Sequence, residues 1–267
     1  MRSASTAIAL AAALVLGCGA TAAPVQKPPR PKILAKIRVG SEPTGITYGA
    51  GSVWAVNYGD GTVVRIDPSR NKVVARVNVG GAPYTASYGA GSLWVSFFDG
   101  SSVARVDPAT NQVVARIEAG QEQAGITATD AGVWVAVYGQ GEVVRIDPAT
   151  NRATARIRVG GQPEDIALTP GAAWIPNENG TVSRIDPASN TVVAKIRVGP
   201  DPDYAVLCRG RLWVSSLQGA RISLVDLARN KVSSRIRVGL GSVGIGCGRA
   251  VWVANQAAGT VVRLRDR

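Results

Sequence analysis

The sequence predicts an all-β fold, a six-bladed β-propeller built from four-stranded blades. Two markers predict it. Trp recurs at Trp54, Trp94, Trp134, Trp174, Trp213 and Trp252, in steps of 40, 40, 40, 39 and 39 residues. Asp recurs at Asp67, Asp107, Asp147, Asp186, Asp226 and Asp266, in steps of 40, 40, 39, 40 and 40. A period of that length, filled with short alternating apolar segments between turn residues, is the mark of propeller blades.

The first copy shows the parts of a blade. Gly45 to Tyr48 reads as a first strand, Gly49-Ala50-Gly51 as a turn, and Ser52 to Asn57 as a second strand carrying Trp54. Gly59-Asp60-Gly61 turns into a third strand, Thr62 to Ile66, and Asp67-Pro68-Ser69-Arg70-Asn71 leads to a fourth, Lys72 to Val79. Asp suits the first position of a type I turn and Pro presets φ at the second. Asn tolerates the left-handed exit and recurs at Asn71, Asn111, Asn151, Asn190 and Asn230. The repeated Asp and Asn are therefore read as turn chemistry, and the repeated Trp as packing between neighbouring blades.

Blades two to five follow at residues 81–120, 121–160, 161–199 and 200–239. The sixth begins at Leu240 and stops after its third strand. A spare strand stands at the other end of the chain, residues 33–39, with the K-I-R-V-G ending also found at Lys195 to Gly199. It is expected to complete the last blade, closing the ring and removing two exposed edges.

Ahead of the propeller, 33–267, two segments are expected. Residues 1–23 read as an export signal: Arg2, then an apolar run from Ala7 to Leu16, too short to span a bilayer as a helix. Val15-Leu16-Gly17-Cys18 fits a lipobox that would leave Cys18 lipid-modified, while Ala20-Thr21-Ala22 fits an ordinary cleavage site. Residues 24–32, PVQKPPRPK, form a Pro-rich, semi-rigid linker. The expected location is outside the cytoplasm, as a cell-surface lipoprotein or a secreted or periplasmic protein, touching a membrane only through a lipid anchor.

Composition restricts the chemistry. The chain has no His, which excludes Ser-His-Asp and Cys-His catalytic arrangements and removes the commonest zinc ligand. The formal charge of +12 favours anionic partners.

The unit V-W-V-x-N…G-T-V-x-R-I-D-P-x-x-N-x-V-x-A-x-I-x-V-G, carried for example by Thr62 to Pro68, resembles YVTN and YncE-like propeller repeats over residues 32–267. It is most similar to the streptogramin (virginiamycin B) lyase-like family. That resemblance implies the opening of a macrocyclic lactone by elimination, with a divalent metal and a His-containing site at one mouth of the channel. No His position exists here to receive the family's catalytic role. YncE-like relatives imply DNA binding, which a basic chain permits.

In a propeller, the loops between fourth and first strands and those between second and third strands share a face. The irregular residues there are the candidate ligand-binding set: Tyr58, Tyr84, Phe98, Tyr138, Glu164, Asp165, Asn177, Asp203 and Tyr204. Aromatics gather on blades one to three and acids on blades four and five. Glu164, Asp165 and Asp203 are the candidates for a base or a metal, although no spacing matches a recognised metal loop. A second candidate surface is basic. Fourth strands alternate basic and apolar residues, and Lys36/Arg38, Arg156/Arg158, Lys195/Arg197 and Arg235/Arg237 fall on contiguous blades. They form a rim suited to anionic cell-envelope polymer, lipid head groups or nucleic acid, or they protect strand edges from pairing. Cys208 and Cys247 precede their blades' Trp by five residues each, so they are expected on neighbouring blades, either bridged or as two free thiols.

The expectation is a monomeric, non-catalytic binding or scaffold module without a resident cofactor, for a small ligand or a protein. The alternatives are a lyase-like enzyme with a carboxylate or metal site, and a polyanion binder.

Overall fold

The computed structural model describes residues 34–247, 251–255, 257 and 259–264. The expected export signal, Cys18 and the expected Pro-rich linker lie outside the described residues. The chain divides into two units, 1–36 and 37–267, and the second holds the whole propeller.

Six antiparallel sheets follow one another along the chain. Blade 1 comprises β1 (Pro43–Gly49), β2 (Ser52–Asn57), β3 (Thr62–Asp67) and β4 (Lys72–Asn78). Blade 2 comprises β5 (Pro83–Gly89), β6 (Ser92–Phe97), β7 (Ser102–Asp107) and β8 (Gln112–Glu118). Blade 3 comprises β9 (Gln123–Thr129), β10 (Gly132–Val137), β11 (Glu142–Asp147) and β12 (Arg152–Arg158). Blade 4 comprises β13 (Ala167–Thr169), β14 (Ala172–Asn177), β15 (Thr181–Asp186) and β16 (Thr191–Arg197). Blade 5 comprises β17 (Pro202–Cys208), β18 (Arg211–Ser216), β19 (Arg221–Asp226) and β20 (Lys231–Arg237). Blade 6 comprises β21 (Ser242–Cys247), β22 (Val251–Asn255) and β23 (Thr260–Leu264).

Apolar clusters lie between consecutive blades, so each blade is covered by its neighbour. Val77 and Val79 of blade 1, for example, pack with Leu93, Val95 and Val106 of blade 2. Trp54, Trp94, Trp134, Trp174 and Trp213 are all at most 3% exposed, which fits the packing role read from their period. An Arg stacks over the Trp in five blades: Arg65, Arg105, Arg145, Arg184 and Arg263, at 4.9 to 5.5 Å from the ring centroid. In blades 1 to 3 that Arg also reaches into the next blade's turn. Arg105 Nη1 donates to Pro148 O at 2.7 Å and to Asn151 Oδ1 at 2.8 Å. Thus Asn not only adopts the left-handed turn conformation, with φ near 55° at Asn151, but also accepts the inter-blade Arg.

Residues 37–40 run past blade 1 without entering a ladder. Ile37 and Val39 pack against Ala55, Val64 and Ile66, as Val77 and Val79 pack against blade 2. Val39 O accepts from Asn57 Nδ2 at 3.0 Å and from Arg76 Nη2 at 2.8 Å. The segment therefore fills the place that a preceding blade's fourth strand takes against blade 1. Among the described residues its hold is lateral, through side chains and one carbonyl, and blade 6 has three strands. Cys208 and Cys247, at the ends of β17 and β21, form a disulfide with Cα atoms 5.8 Å apart.

Candidate functional site at the axial mouth

A single local irregularity builds the site. In each blade the innermost pairing skips residues between a fixed entry contact and the regular ladder. In blade 1, Pro43 pairs with Asn57 and Gly45 with Val56, which leaves Thr44 out. In blade 2 the ladder skips Tyr84 and Thr85, and in blade 5 it skips Asp203 and Tyr204. In blade 3 it skips Ala124 and Gly125. Blade 4 goes furthest: an isolated bridge joins Pro163 to Asn177, and pairing resumes only at Ala167, leaving out Glu164, Asp165 and Ile166. Bulged residues are released from the pleat and re-aim their side chains. Here Thr44, Tyr84, Thr85, Glu164, Asp165, Asp203 and Tyr204 line the axial mouth, whereas Ala124 and Ile166 turn into the core between blades 3 and 4.

The result is a cavity of about 600 Å³ at the channel mouth. Thr44, Tyr84, Thr85, Gly125, Glu164, Asp165, Asp203, Tyr204, Leu217 and Gly244 line it, so every blade contributes. Gly125 has a mechanical reason to be glycine. A Cβ there would lie 2.7 Å from Asp165 Cα, and its N–H donates to Glu164 O at 2.8 Å. That close approach of blades 3 and 4 brings the acidic segment to the axis.

The carboxylates face one another without a cation among them. Burial, then the charges of Asp203, Asp201, Glu178 and Asp165, push Glu164 up to about 7. Burial, then Asp165 and Asp201, push Asp203 up to about 7. Asp165 is half-buried, keeping part of its surface on the mouth, and burial is still the main reason it is raised to about 6. The N–H groups of Ala205 and Ile166 hold it partly down, the first bonding Oδ2 at 3.1 Å. Burial and Glu178 raise Asp201 as well. The phenol of Tyr84 is raised by burial and by Asp203, Glu164 and Asp165, and that of Tyr204 by burial and Asp165.

The remaining candidates sit around this centre. Phe98 packs beside Tyr84 with ring centroids 5.7 Å apart. Tyr138 donates to Glu178 Oε2 at 2.5 Å, the main reason its phenol rises to about 12. Tyr58 is half-buried and outside the cavity lining, with its backbone N–H on Glu42 O at 2.9 Å. Asn177 is fully buried, and its Nδ2 donates to Ile175 O and Ser183 Oγ at 3.1 Å each. Sequence reasoning missed Thr44, Thr85, Gly125, Leu217 and Gly244. Their signal was register: Thr44 and Thr85 fall ten and nine residues before their Trp, as Glu164 and Asp165 do, and Leu217 falls four after, as Phe98 does.

A divalent metal, which the lyase resemblance implies, does not fit these residues. Among the described residues no three His, Cys, Asp or Glu side chains converge as a ligand set. Asp165 already commits Oδ2 to a backbone N–H.

The basic residues are divided. Arg235 Nε donates to Val198 O at 3.4 Å and Arg156 Nη1 to Ala119 O at 2.8 Å, so these two tie their blade to the preceding one. Arg158 lies 3.5 Å from Glu142. Arg38, Lys195, Arg197 and Arg237 are exposed, and Lys36 is exposed in the separate N-terminal unit.

No protein-family model matches the sequence, and neither does any curated protein. Solved structures do match. Virginiamycin B lyase from Staphylococcus aureus superposes with a TM-score of 0.74 at 15% identity, covering 85% of this chain and 82% of that one. A streptogramin B lyase gives 0.70 at 15% identity, covering 85% and 84%. The computationally designed Ika8 protein gives 0.70 at 10% identity, covering 84% and 71%. The chain thus has the fold of the streptogramin B lyase-like propellers, a fold that a designed protein also adopts.

Proposed function

We propose that the protein is a binding propeller of the extracytoplasmic space whose axial mouth takes a small organic cation with an aromatic or apolar body. One observation carries the reading. On a chain of net charge +12, the axial cavity is lined by three carboxylates and no Lys or Arg. Glu164, Asp165 and Asp203 supply the negative wall. Tyr84 of blade 2 and Tyr204 of blade 5 add aromatic surface to the lining, and aromatic faces attract ammonium groups.

Calorimetric titration with benzyltrimethylammonium tests this. Binding is expected at pH 8 and to weaken on acidification to pH 5.5, where Glu164 and Asp203, raised to about 7, take up protons. Glu164→Gln and Asp203→Asn should each weaken it severalfold. Equal binding of benzenesulfonate, or no dependence on pH, refutes the reading.

A second reading rests on Glu164 itself. A carboxyl raised to about 7 inside a cavity is matched to general-base work at neutral pH. With the lyase-like neighbours, this supports a proton abstraction that opens a lactone by elimination. Ring opening of a streptogramin B by the purified chain, abolished by Glu164→Gln, would establish it, and no turnover would leave the binding reading in place.

A further inference from the structure

On the face opposite the mouth, a second cavity of about 440 Å³ opens between blades 3 and 4. The turns after β9 and β13 and the turn at Pro187 enclose it. Leu168, Pro170, Ala172 and Pro187 make its wall apolar. Thr129 and Thr169 also line it, but their hydroxyls are spent on Gly132 O at 3.1 Å and Ala172 O at 3.2 Å.

Two donors are left over there. Four of the repeated Trp residues place their indole N–H on a fixed acceptor. Trp54, Trp94 and Trp213 use the carbonyls of Gly49, Gly89 and Cys208, and Trp174 uses Thr169 Oγ1. Trp134, only 3% exposed, has no acceptor for its N–H among the described residues. Its nitrogen is also absent from the sealed, partnerless polar atoms, which are Asn57 Oδ1, Asn177 Oδ1, Arg184 Nε and Asn230 Oδ1. The surface it retains is the surface it gives to the cavity.

The second donor comes from a position that varies between blades. In blades 1 and 2 the Nε of the stacked Arg donates to a Ser hydroxyl, Arg65 to Ser52 at 2.7 Å and Arg105 to Ser92 at 2.8 Å. Gly132 stands at that position in blade 3. Arg145 stacks over Trp134 at 5.2 Å and uses Nη1 on Pro187 O and Asn190 Oδ1 and Nη2 on Ala131 O, but its Nε has no acceptor among the described residues. Of the acids nearest in sequence, Asp130 Oδ1 accepts from Ala90 N–H and Asp147 Oδ1 from Ala149 N–H; the Arg145 charge helps to hold Asp147 low, but no ion pair joins the two among the described residues.

We propose that this cavity is a binding site for a compact apolar monocarboxylate. Its body packs on Leu168, Pro170 and Pro187, and its carboxylate accepts from Trp134 Nε1 and Arg145 Nε. A neutral carbonyl or hydroxyl oxygen can accept from both donors only by sharing one atom between them, and it carries no charge to match the guanidinium. A carboxylate satisfies both and gains the charge-assisted bond to the guanidinium.

The test is the indole region of the proton–nitrogen spectrum of the 15N-labelled full chain, with Trp134→Phe assigning the resonance. Without ligand, the Trp134 N–H should exchange with D2O faster than those of Trp54, Trp94, Trp174 and Trp213. Titration with cyclohexanecarboxylate should shift Trp134 saturably and leave those four in place. Cyclohexylmethanol should bind about tenfold more weakly, the loss of a hydrogen bond to a charged group. Ala131→Phe, at an exposed rim position, should weaken the carboxylate comparably without lowering the melting temperature. No saturable shift at Trp134, a uniform shift of all indoles, or equal affinity for the alcohol overturns the proposal.

Discussion

Replacing Asp165 with Asn removes a carboxyl whose charge the mouth disfavours, and the effect can be worked out. Asp165 is raised from the ordinary 3.8 to about 6, chiefly by burial. A raised native-state pKa means that the folded chain holds the proton more tightly than the unfolded one. The group's contribution is therefore most favourable below 3.8, falls as pH rises towards about 6, and stays reduced above it. At ~1.36 kcal/mol per pKa unit that interval corresponds to about 3 kcal/mol. Asp165 keeps part of its surface on the mouth, so screening reduces the expected effect to about half of that. Asn retains an acceptor for the Ala205 N–H, now bonded at 3.1 Å. Urea titrations at pH 8 should find Asp165→Asn more stable than the parent by about 1.5 kcal/mol, or about 3–6 °C in melting temperature. At pH 4 the two should converge. Glu164 and Asp203, raised to about 7, extend the parent's decline further and remain in the variant. The turn aspartates Asp67, Asp147, Asp186 and Asp226 are lowered and act in the opposite direction, but they are common to both proteins. A variant no more stable at pH 8, with an unchanged slope against pH, would refute the reasoning.

The other predictions concern the blades. Opening the Cys208–Cys247 bridge, which spans 39 residues, removes a constraint worth up to about 4 kcal/mol in the chain-entropy treatment; melting with and without reductant measures it, and coincident curves would contradict it. Arg105→Ala breaks the bonds to Ser92, Pro148 and Asn151 and the stack on Trp94, so a loss of about 2–4 kcal/mol is expected in denaturant titration. Arg105→Leu should cost less, because blade 5 places the buried Leu224 at that position against Ile245, and the reverse order would count against the inter-blade role. Removing residues up to Gly40 deprives Asn57 and Arg76 of the Val39 carbonyl and uncovers Ala55, Val64 and Ile66, and should lower the melting temperature by several degrees. An unchanged melt would show that blade 1 needs no such cover.

The blades were legible because their mechanics repeat. Trp, Asp-Pro and Asn return at fixed spacing since each solves the same packing or turn problem in every copy. The acidic half of the mouth was legible for the opposite reason: Glu164-Asp165 and Asp203-Tyr204 break a repeat that is otherwise uniform. Asn177 shows where that logic fails. It is the repeat's own Asn, matched by Asn57 and Asn255, and it faces inward: its Nδ2 donates to Ile175 O and Ser183 Oγ, and Ser183 in turn donates to Val159 O of the preceding blade. Polarity alone does not say which way a side chain faces; register against the bulge does. The disulfide could be placed on neighbouring blades from spacing, whereas its closure depended on a Cα separation that no sequence states.

The axial mouth and the rear cavity follow from one property of a repeat protein. Positions that hold blades together are constrained six times over, and a change at one of them leaves a partner unmatched. Within a blade the same kind of mismatch occurs: Gly132 stands where blades 1 and 2 have the Ser that accepts from the stacked Arg, and the Nε of Arg145 has no acceptor among the described residues. Positions skipped by the ladder are less uniform, and their duties differ: Thr44 Oγ1 bonds Tyr84 O of blade 2, Asp165 Oδ2 accepts from Ala205 N–H of blade 5, and Ala124 and Ile166 pack between blades 3 and 4. Thr44, Tyr84, Ala124, Glu164 and Asp203 occupy one register, where the blades place a hydroxyl, a phenol, a methyl and two carboxylates. Carboxylates there lose hydration and repel one another, as the raised values of Glu164 and Asp203 register. On the binding reading proposed above, a positively charged guest would relieve the burial and the repulsion of Glu164 and Asp203 together.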